Sequence, residues 1–331
     1  MKYLFYPGCS MQRSAKPYAD SLKLVEKTLG IESVEVEDWN CCGATEFSSV
    51  NRTASHAIVG RNLALAQEQI NGDNDLVAAC SACYLNLSKT DYYMRENADF
   101  NELVNDALSA GGLKYDPGSV NVRHSLDVIV NDIGYEIVKE KVTKPLAGLR
   151  VGAYYGCMIV RPDVNKRFSS PEEPYELESL LEALGAEVVD FKMKTQCCSG
   201  HMTQISSEVA YDMIKQIVKP AVDEKIDILV TLCPMCQLNI DAFQKEMNKH
   251  FGTNYEVPIL YFSQLMGLAF GYTQKELGIG KEFVNVSPAL AKIGKVVEKA
   301  PLPKKKKKSK SDPSLPMPIM PEHYRGGHDG K

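Results

Sequence analysis

A pattern of cysteines that occurs twice constrains this chain more than any other feature of its sequence. The first half has the spacing C-x31-CC-x37-C-x2-C and the second half has C-x39-CC-x34-C-x2-C, so each copy holds one vicinal pair in the same place. No cysteine among the ten lies outside the two copies. The two sets are Cys9, Cys41, Cys42, Cys80 and Cys83, and Cys157, Cys197, Cys198, Cys233 and Cys236. Such agreement indicates an internal duplication.

The sequence around the cysteines repeats as well. An aromatic-rich run that ends in Gly precedes the single cysteine of each copy, at residues 4–8 and 153–156. A short apolar run precedes each CxxC, at residues 75–79 and 227–232. Similar segments close each copy, at residues 122–126 and 260–265. The duplication therefore extends beyond the cysteines to the secondary structure that positions them.

Short apolar runs alternate with segments of helical periodicity in both halves. The predicted strands are 2–6, 33–36, 75–79, 149–155, 186–190 and 227–231, and the predicted helices are 14–30, 49–70, 84–96, 124–140, 175–184, 204–224 and 235–250. This alternation favours parallel βαβ units and an α/β protein. We predict two tandem, pseudo-two-fold-related domains, each with a short parallel sheet flanked by helices. The cysteines then follow the carboxyl ends of strands, where such sheets bind ligands.

The predicted domain boundaries follow breaks in the pattern. The first cysteine-rich domain covers residues 1–145 and the second covers residues 146–297, because Pro145 and Gly148 interrupt the helical periodicity. Residues 298–331 form a Lys/Pro-rich C-terminal tail, with five consecutive lysines at 304–308 and six prolines between 301 and 321. This composition cannot bury a core, so we predict a disordered tail. An electrostatic tether to an acidic partner or a membrane face is its functional alternative.

Composition argues against two classes of protein. A net charge of −4 and a pI of about 5.9 argue against a nucleic-acid partner, which usually meets a basic surface. The most apolar stretch, residues 257–272, contains Pro258 and is shorter than the roughly 20 residues of a membrane span. We therefore predict no transmembrane segment and interpret this stretch as a core strand followed by a core helix.

The N-terminus begins with a strand pattern rather than a signal peptide, so we expect a cytoplasmic protein.

Ten cysteines in a reducing compartment are better explained by metal ligation than by disulfides. Zinc closes a tetrahedral site with four ligands, whereas each half supplies five thiolates with only one CxxC. The side chains of a vicinal pair in extended backbone point in opposite directions, so a single ion could not easily bind both. A cluster of several irons can use both, and all-cysteine ligand sets are usual for such clusters. The residues favour iron–sulfur clusters, while zinc and metal-free redox-active dithiols stay open as alternatives.

The pattern C…CCG…CxxC, present twice, resembles the cysteine-rich CCG repeat in the B subunit of heterodisulfide reductase. The resemblance covers residues 1 to about 295 and rests on Cys41-Cys42-Gly43 and on the CxxC segments at 80–83 and 233–236. The second vicinal pair departs from the pattern, because Ser199 and then Gly200 follow it. In that family the five cysteines of each repeat hold one noncubane [4Fe-4S] cluster. The resemblance thus implies two such clusters, with the two cysteine sets given above as their ligands.

The resemblance also implies an activity. A protein of this kind is an oxidoreductase of anaerobic metabolism that acts on a sulfur group. It reduces a small disulfide, CoM-S-S-CoB or a related one, to two thiols by one-electron transfers from the two clusters. Its partners in the family are the ferredoxin-like C subunit and the flavin-containing A subunit of heterodisulfide reductase. Because this chain has no GxGxxG that opens a helix, we expect its electrons to come from such partners.

Two other functions stay open. CCG repeats also occur in electron-transfer subunits of other oxidoreductase complexes, such as glycolate oxidase and fumarate or succinate reductases, where disulfide cleavage is not the task. Two complete repeats favour disulfide reduction, because a repeat that lacks a cysteine would suggest a relay. The third function is a zinc-stapled scaffold with no redox role.

Residues near the cysteine loops are further candidates. His201, three residues after Cys198, could protonate a leaving thiolate, with a structural role at a helix start as the alternative. His124 and Trp39 are expected to be structural. The cations that could bind an anionic substrate, although surface charge is the commoner outcome, are Arg13, Arg52, Arg161, Lys166 and Arg167. The glycines expected to let backbone approach the clusters are Gly8, Gly43, Gly156 and Gly200.

Overall fold

Strands and helices alternate through the first half of the chain. The computed structural model describes residues 1–44, 47–70, 72 and 74–295, so the tail predicted at 298–331 lies outside the described residues. The elements of the first half are β1 (Lys2–Tyr6), α1 (Gly8–Gln12), α2 (Lys16–Leu29), β2 (Glu32–Glu35), α3 (Phe47–Val50), α4 (Arg52–Gln69), β3 (Asp75–Ala78), α5 (Ser81–Glu96), α6 (Ala98–Ser109), β4 (Asn121–His124), α7 (Ser125–Val128), a π-helical turn (Ile129–Ile133) and α8 (Tyr135–Glu140).

The second half repeats the same succession. Its elements are β5 (Arg150–Tyr154), α9 (Glu176–Ala183), β6 (Glu187–Val189), α10 (Met202–Ile205), α11 (Ser207–Asp223), β7 (Ile228–Thr231), α12 (Pro234–Ala242), α13 (Gln244–Phe251), β8 (Ile259–Tyr261), α14 (Phe262–Phe270) and α15 (Ser287–Leu290). Both halves lie in one compact unit, Met1–Val296. The division of the chain at residue 145 into two domains stays a prediction.

Each half contains one four-stranded parallel sheet. The strand orders are β2-β1-β3-β4 and β6-β5-β7-β8, so the two sheets have the same topology. All neighbouring strands are parallel, with Leu4 opposite Leu76 in the first sheet and Val151 opposite Ile228 in the second. Parallel sheets are covered by helices on both faces, and this burial favours apolar residues throughout a strand, as the fully buried β7 illustrates.

The predicted α/β class, the parallel sheets and the internal repeat are confirmed. All six predicted strands exist, and residues 257–272 form the predicted strand and helix, β8 and α14. The prediction of one helix over 124–140 is wrong, because His124 ends β4 and Gly134 interrupts the helical backbone with a φ of 85°. Within the described part of the chain, no helix combines the length and apolarity needed to cross a membrane.

Local sequence explains where the long helices begin and end. Helix α2 has Pro17 in its first turn, where a missing N–H costs nothing, and it ends at Gly30, which adopts left-handed backbone with a φ of 72°. Its buried face carries Leu22, Val25 and Leu29 at helical spacing. Helix α4 begins after Asn51, whose side chain accepts a hydrogen bond from a backbone N–H of the first turn.

Helices from one half pack against helices from the other. Helix α2 of the first half lies against α14 of the second, where the hydroxyls of Ser21 and Ser263 are 2.7 Å apart and those of Thr28 and Tyr272 are 2.9 Å apart. The equivalent helix of the second half, α9, packs reciprocally against α8 of the first. This exchange brings the carboxyl edges of the two sheets, and with them the cysteine loops, next to each other.

Candidate metal centre

The first set of cysteines gathers at the carboxyl edge of its sheet. Cys9 lies in α1 directly after β1, Cys41 and Cys42 lie in the loop after β2, and Cys80 and Cys83 lie where β3 leads into α5. The Sγ atoms of Cys9 and Cys41 are 3.6 Å apart. The Sγ atoms of Cys42 and Cys83 are 3.5 Å apart, and Cys83 also interacts with Cys80. The parallel sheet thus brings together thiols that lie far apart in sequence.

The second set repeats this arrangement at the other sheet. Cys157 follows β5, Cys197 and Cys198 lie in the loop after β6, and Cys233 and Cys236 lie at the start of α12. Thiol interactions join Cys157 to Cys197 and join Cys236 to both Cys198 and Cys233. These are the same pairs as in the first set. The predicted ligands are therefore grouped in two fives, and their role as ligands stays a prediction.

The two sets adjoin at their CxxC turns. The thiols of Cys80 and Cys233, both buried, interact across the two halves. The buried hydroxyl of Tyr18 contacts the carbonyl oxygens of Ala79 at 2.8 Å and of Leu232 at 3.4 Å, one residue before each of these cysteines. A single tyrosine from α2 therefore ties both turns together.

Two of the predicted glycines make room for sulfur. A Cβ added at Gly8 would lie 2.8 Å from Sγ of Cys83, and one added at Gly156 would lie 2.9 Å from Sγ of Cys236. Both glycines also adopt left-handed backbone, with φ values of 70° and 68°. Only glycine combines this backbone with so close an approach. The other two predicted glycines, Gly43 and Gly200, also adopt left-handed backbone, but a Cβ added there would have no neighbour within 3.4 Å.

A tyrosine from the first strand and an asparagine from the CxxC helix hold each vicinal loop. In the first half, the Tyr6 hydroxyl donates to the carbonyl of Asn40 at 2.7 Å, and the Asn86 amide donates to the carbonyl of Cys42 at 3.2 Å. The equivalent bonds in the second half run from Tyr154 to Gln196 at 2.7 Å and from Asn239 to Cys198 at 3.1 Å. Sequence reasoning missed these asparagines, although each lies three residues after the last cysteine of its copy.

Contacts between thiols shift their pKa values in opposite directions. Hydrogen bonds from Cys41 and Cys83 hold the pKa of Cys42 well below its usual range, and the interaction with Cys42 raises the pKa of Cys83. A hydrogen bond from Cys157 lowers the pKa of Cys197 to about 6. Because like charges oppose one another, crowded thiols can all ionise only beside a compensating positive charge. Bound metal ions supply such a charge, since they take cysteine as thiolate.

The residues present fit an iron–sulfur group. Each set consists of soft sulfur donors alone, which suit an iron–sulfur cluster. A glycine leaves space beside one thiol of each set. The crowding of the thiols favours a partner with several positive charges. Across the described ranges, no three His, Cys, Asp or Glu side chains are arranged to hold a single metal ion. The thiols instead meet in pairs: two pairs in each set share Cys83 or Cys236, and the third pair joins Cys9 to Cys41 or Cys157 to Cys197.

His201 lies beside the second set. It precedes α10, is half-buried, and lines a cavity together with Ser10 from the first half and Pro234 from the CxxC turn. This position is close to the cysteine loops, as the sequence suggested. Proton transfer by His201 stays a prediction.

The predicted cations have different positions. The Arg161 guanidinium donates to the carbonyl of Thr195 and helps to lower the pKa of Cys197, so it reaches the second set. Arg167 donates to Asn121 and thereby holds a loop of the second half against the first. The other three predicted cations lie on the exposed surface: Arg13, Arg52 and Lys166.

His124 and Trp39 have structural surroundings. His124 is fully buried, and its Nδ1 accepts a hydrogen bond from the N–H of Leu126 at the start of α7. Burial lowers the pKa of His124 to about 4, so the ring is neutral at pH 7. The Trp39 ring meets Tyr6 edge-on with centroids 5.5 Å apart, and its Nε1 donates to Glu35 at 2.8 Å.

Comparison with known proteins gives matches over both halves. The family described as a cysteine-rich domain, CCG, matches residues 3–88 and 151–241. The chain is 34% identical over 286 residues to the 8-methylmenaquinol:fumarate reductase membrane anchor subunit of Wolinella succinogenes, covering 86% of this chain and 98% of that one. It is 29% identical over 300 residues to the B subunit of the Ferredoxin/F(420)H(2)-dependent CoB-CoM heterodisulfide reductase of Methanosarcina acetivorans, covering 88% and 97%.

Solved structures include a similar fold. The crystal structure of a hypothetical protein from Helicobacter pylori superposes with a TM-score of 0.66 at 13% sequence identity. The match covers 86% of this chain and 52% of that one, so this chain spans about half the length of that protein. At this identity the likeness concerns the fold alone.

Proposed function

Because the chain belongs to the CCG cysteine-rich domain family, we propose that it is the disulfide-reducing B subunit of a heterodisulfide-reductase-type complex. Its relatives are redox subunits of oxidoreductase complexes, and this chain is likewise a CCG-domain redox subunit. In the proposed reaction a disulfide, CoM-S-S-CoB or a related one, takes up two electrons and two protons. Its S–S bond breaks, and two thiols leave.

The contact between the two thiol sets carries this proposal. Cys80 and Cys233 interact directly, so groups held by the two sets would lie side by side. We assign one noncubane [4Fe-4S] cluster to Cys9, Cys41, Cys42, Cys80 and Cys83, and one to Cys157, Cys197, Cys198, Cys233 and Cys236. When bound, these clusters supply electrons one at a time. Two adjoining one-electron centres suit a substrate whose bond requires two electrons.

The side chains around the sets would exclude water and provide a proton. Tyr18 and Tyr261 stack next to the CxxC turns with ring centroids 4.3 Å apart, and both are buried. A dry site strengthens every electrostatic interaction within it. From the cavity that it shares with Ser10, His201 as imidazolium would donate a proton to the sulfur of a leaving thiolate and become neutral imidazole.

The proposed complex includes partners that supply the electrons. We assign this role to a ferredoxin-like C subunit and a flavin-containing A subunit of the heterodisulfide reductase type, and we place the complex in the cytoplasm. The relative from Methanosarcina acetivorans is named as dependent on ferredoxin or F(420)H(2), which supports an external electron donor.

Two measurements test the proposed function. The chain, purified without oxygen together with its partner subunits, is analysed for iron, sulfide and zinc and assayed with candidate disulfides. Two clusters of four irons predict about eight irons per chain. We expect Cys42→Ala and Cys198→Ala each to lower disulfide reduction at least tenfold, because each removes a thiolate from one set. Ser207→Ala, at the exposed start of α11, is the matched control.

Two results would contradict this function. Full disulfide reduction by both cysteine variants would exclude chemistry at the two sets. Zinc in place of iron would favour the scaffold without a redox role.

One comparison favours a second function, electron transfer within another CCG-domain oxidoreductase. The relative from Wolinella succinogenes belongs to an 8-methylmenaquinol:fumarate reductase, and it is 34% identical to this chain. In such a role the chain would pass electrons between partners without breaking a disulfide. Cluster reduction by a menaquinol analogue in the complete complex, with no turnover of any disulfide, would support this function and reject the first.

A further inference from the structure

A cavity lies beside each thiol set, and the two cavities occupy equivalent positions in the two halves. The first has a volume of about 230 Å³ and is lined by Gly43, Asn86 and, from the other half, Met158. The second has a volume of about 220 Å³ and is lined by Asn239 and, from the other half, Ser10. Met158 and Ser10 each directly follow the single cysteine of their copy. The duplication has therefore produced two related cavities, each completed by the opposite half.

The CxxC helices give these cavities different chemistry. Lys89 lines the first cavity and Ala242 the second, and each lies six residues after the last cysteine of its copy. At the next position are Thr90 and Phe243. At these two positions the first cavity is cationic and polar and the second is apolar, while His201, Thr203 and Gln204 line the second cavity elsewhere.

Lys89 is a half-buried cation for which the described residues supply no counter-charge. Among the residues that the structure describes, it makes no hydrogen bond or ion pair, and no carboxylate lines the cavity. Burial lowers the pKa of its ammonium group, and the nearby Arg52 lowers it further. Because a charge removed from water is costly unless it is paired, an anion bound here would be stabilised.

Polar groups around Lys89 complete a site for an anion. His56 is only 4% exposed, and its Nδ1 lies 2.7 Å from Oγ1 of Thr90. Burial, together with the charges of Lys89 and Arg52, lowers the pKa of His56 to about 4, so the ring stays neutral beside these cations. Asn86 adds an amide to the same wall. A few convergent polar groups around one ammonium are typical of sites that orient a small anionic ligand.

We propose that this cavity binds a small organic anion, an acidic arm of the disulfide, with Lys89 as the charge that selects it. The identification of the anion as part of a disulfide rests on the proposed function. An anionic arm bound by Lys89 would lie beside Gly43, next to the first thiol set.

Equilibrium binding tests this proposal. The cluster-loaded chain is titrated calorimetrically, without oxygen, with 3-mercaptopropionate and with its neutral isostere 3-mercaptopropionamide. We expect the acid to bind at least tenfold more tightly than the amide, and Lys89→Met to abolish that preference. Lys89→Arg should restore most of it, and Ala242→Lys, at the equivalent position, should leave the preference of the first cavity in place. Iron and sulfide content and circular dichroism verify that each variant is folded and loaded.

The outcomes separate this site from the proposed function. A preference for the acid that survives in Lys89→Met, or that the wild-type chain lacks, overturns the anion site whatever the reductase assay gives. A preference that depends on Lys89, in a preparation that reduces no disulfide, supports the anion site and rejects disulfide reduction. Disulfide reduction without such a preference rejects the anion site alone.

Discussion

At the scale of single residues, the thiols depend on neighbours chosen for size and for hydrogen bonding. Gly8 and Gly156 approach the last cysteine of each CxxC so closely that a methyl group would overlap sulfur. Asn86 and Asn239 hold the backbone of the vicinal pairs. Because these four residues occupy equivalent positions in both copies, they are as much a part of the repeated pattern as the cysteines.

Replacing Gly8 by alanine is expected to remove the metal of the first set while leaving the second intact. The added Cβ would lie 2.8 Å from Sγ of Cys83, in backbone that already disfavours a side chain. We expect iron per chain to fall to roughly half, because one set of two is disturbed. Gly30→Ala is the control, since Gly30 has the same backbone, with a φ of 72°, but nothing within 4 Å of an added Cβ. Equal iron loss in both variants would show that backbone strain, not overlap with sulfur, is responsible.

At the scale of elements, helix α2 connects the two sets. Its first turn places the Tyr18 hydroxyl against the backbone carbonyls of Ala79 and Leu232, the residues before Cys80 and Cys233. The Tyr18 ring stacks on Tyr261 at the end of β8. Farther along the same helix, Ser21 meets Ser263 of α14. The spacing of the two turns is therefore fixed by one helix rather than by either cysteine loop.

Tyr18→Phe is expected to loosen this connection without changing its packing. The variant keeps the stacked ring but loses the hydroxyl that bridges two carbonyls, and one buried hydrogen bond contributes about 1 kcal/mol. We expect a lower melting temperature and a changed difference between the midpoint potentials of the two sets, measured by anaerobic redox titration with EPR detection. Tyr175→Phe is the matched control, because Tyr175 also follows a proline at the start of its helix but is 57% exposed. Unchanged potentials in Tyr18→Phe would argue against a positioning role.

At the scale of the whole molecule, the halves stabilise each other. Helices α2 and α14 pack across the halves, as do α8 and α9, and Asn165 from the second half donates to Ser88 of α5 at 2.7 Å. A half on its own would expose these buried faces to water. Burial of such apolar surface is the main source of stability.

Separate expression of residues 1–145 and 146–297 is expected to give chains that do not fold. Each fragment keeps a complete sheet but loses the partner helices that cover α2 or α9. We expect non-cooperative unfolding and little bound iron for each fragment, and recovery of both properties when the fragments are produced together. Circular dichroism on heating and iron analysis measure these properties. Cooperative unfolding of either fragment alone would establish it as an independent domain.

Much of this protein could be predicted from its sequence, because the information is local or periodic. The two sets of cysteines, the α/β class and the six strands follow from spacing and from alternation of apolar runs, and the family comparison confirms the resemblance. Sequence placed all the cysteines at the carboxyl ends of strands, since parallel sheets gather those ends at one edge. The sequence predicted one helix over 124–140 and missed that β4 ends at His124 and that Gly134 interrupts the helix. Its apolar residues keep a helical spacing across the end of the strand, so periodicity alone did not reveal the breaks.

Tertiary structure alone decided how the two copies meet. No pattern in the sequence relates Tyr18 to Leu232, which it contacts, or Lys89 to Met158, which lines the same cavity, because each pair is more than sixty residues apart. Packing of α2 on α14 determines that the CxxC turns touch, and the loop after Cys157 determines that the cavity beside Lys89 is closed by the other half. Duplication explains why there are two sets of five cysteines. Only the packing between the copies makes the sets adjoin and completes each cavity with a residue from the opposite half.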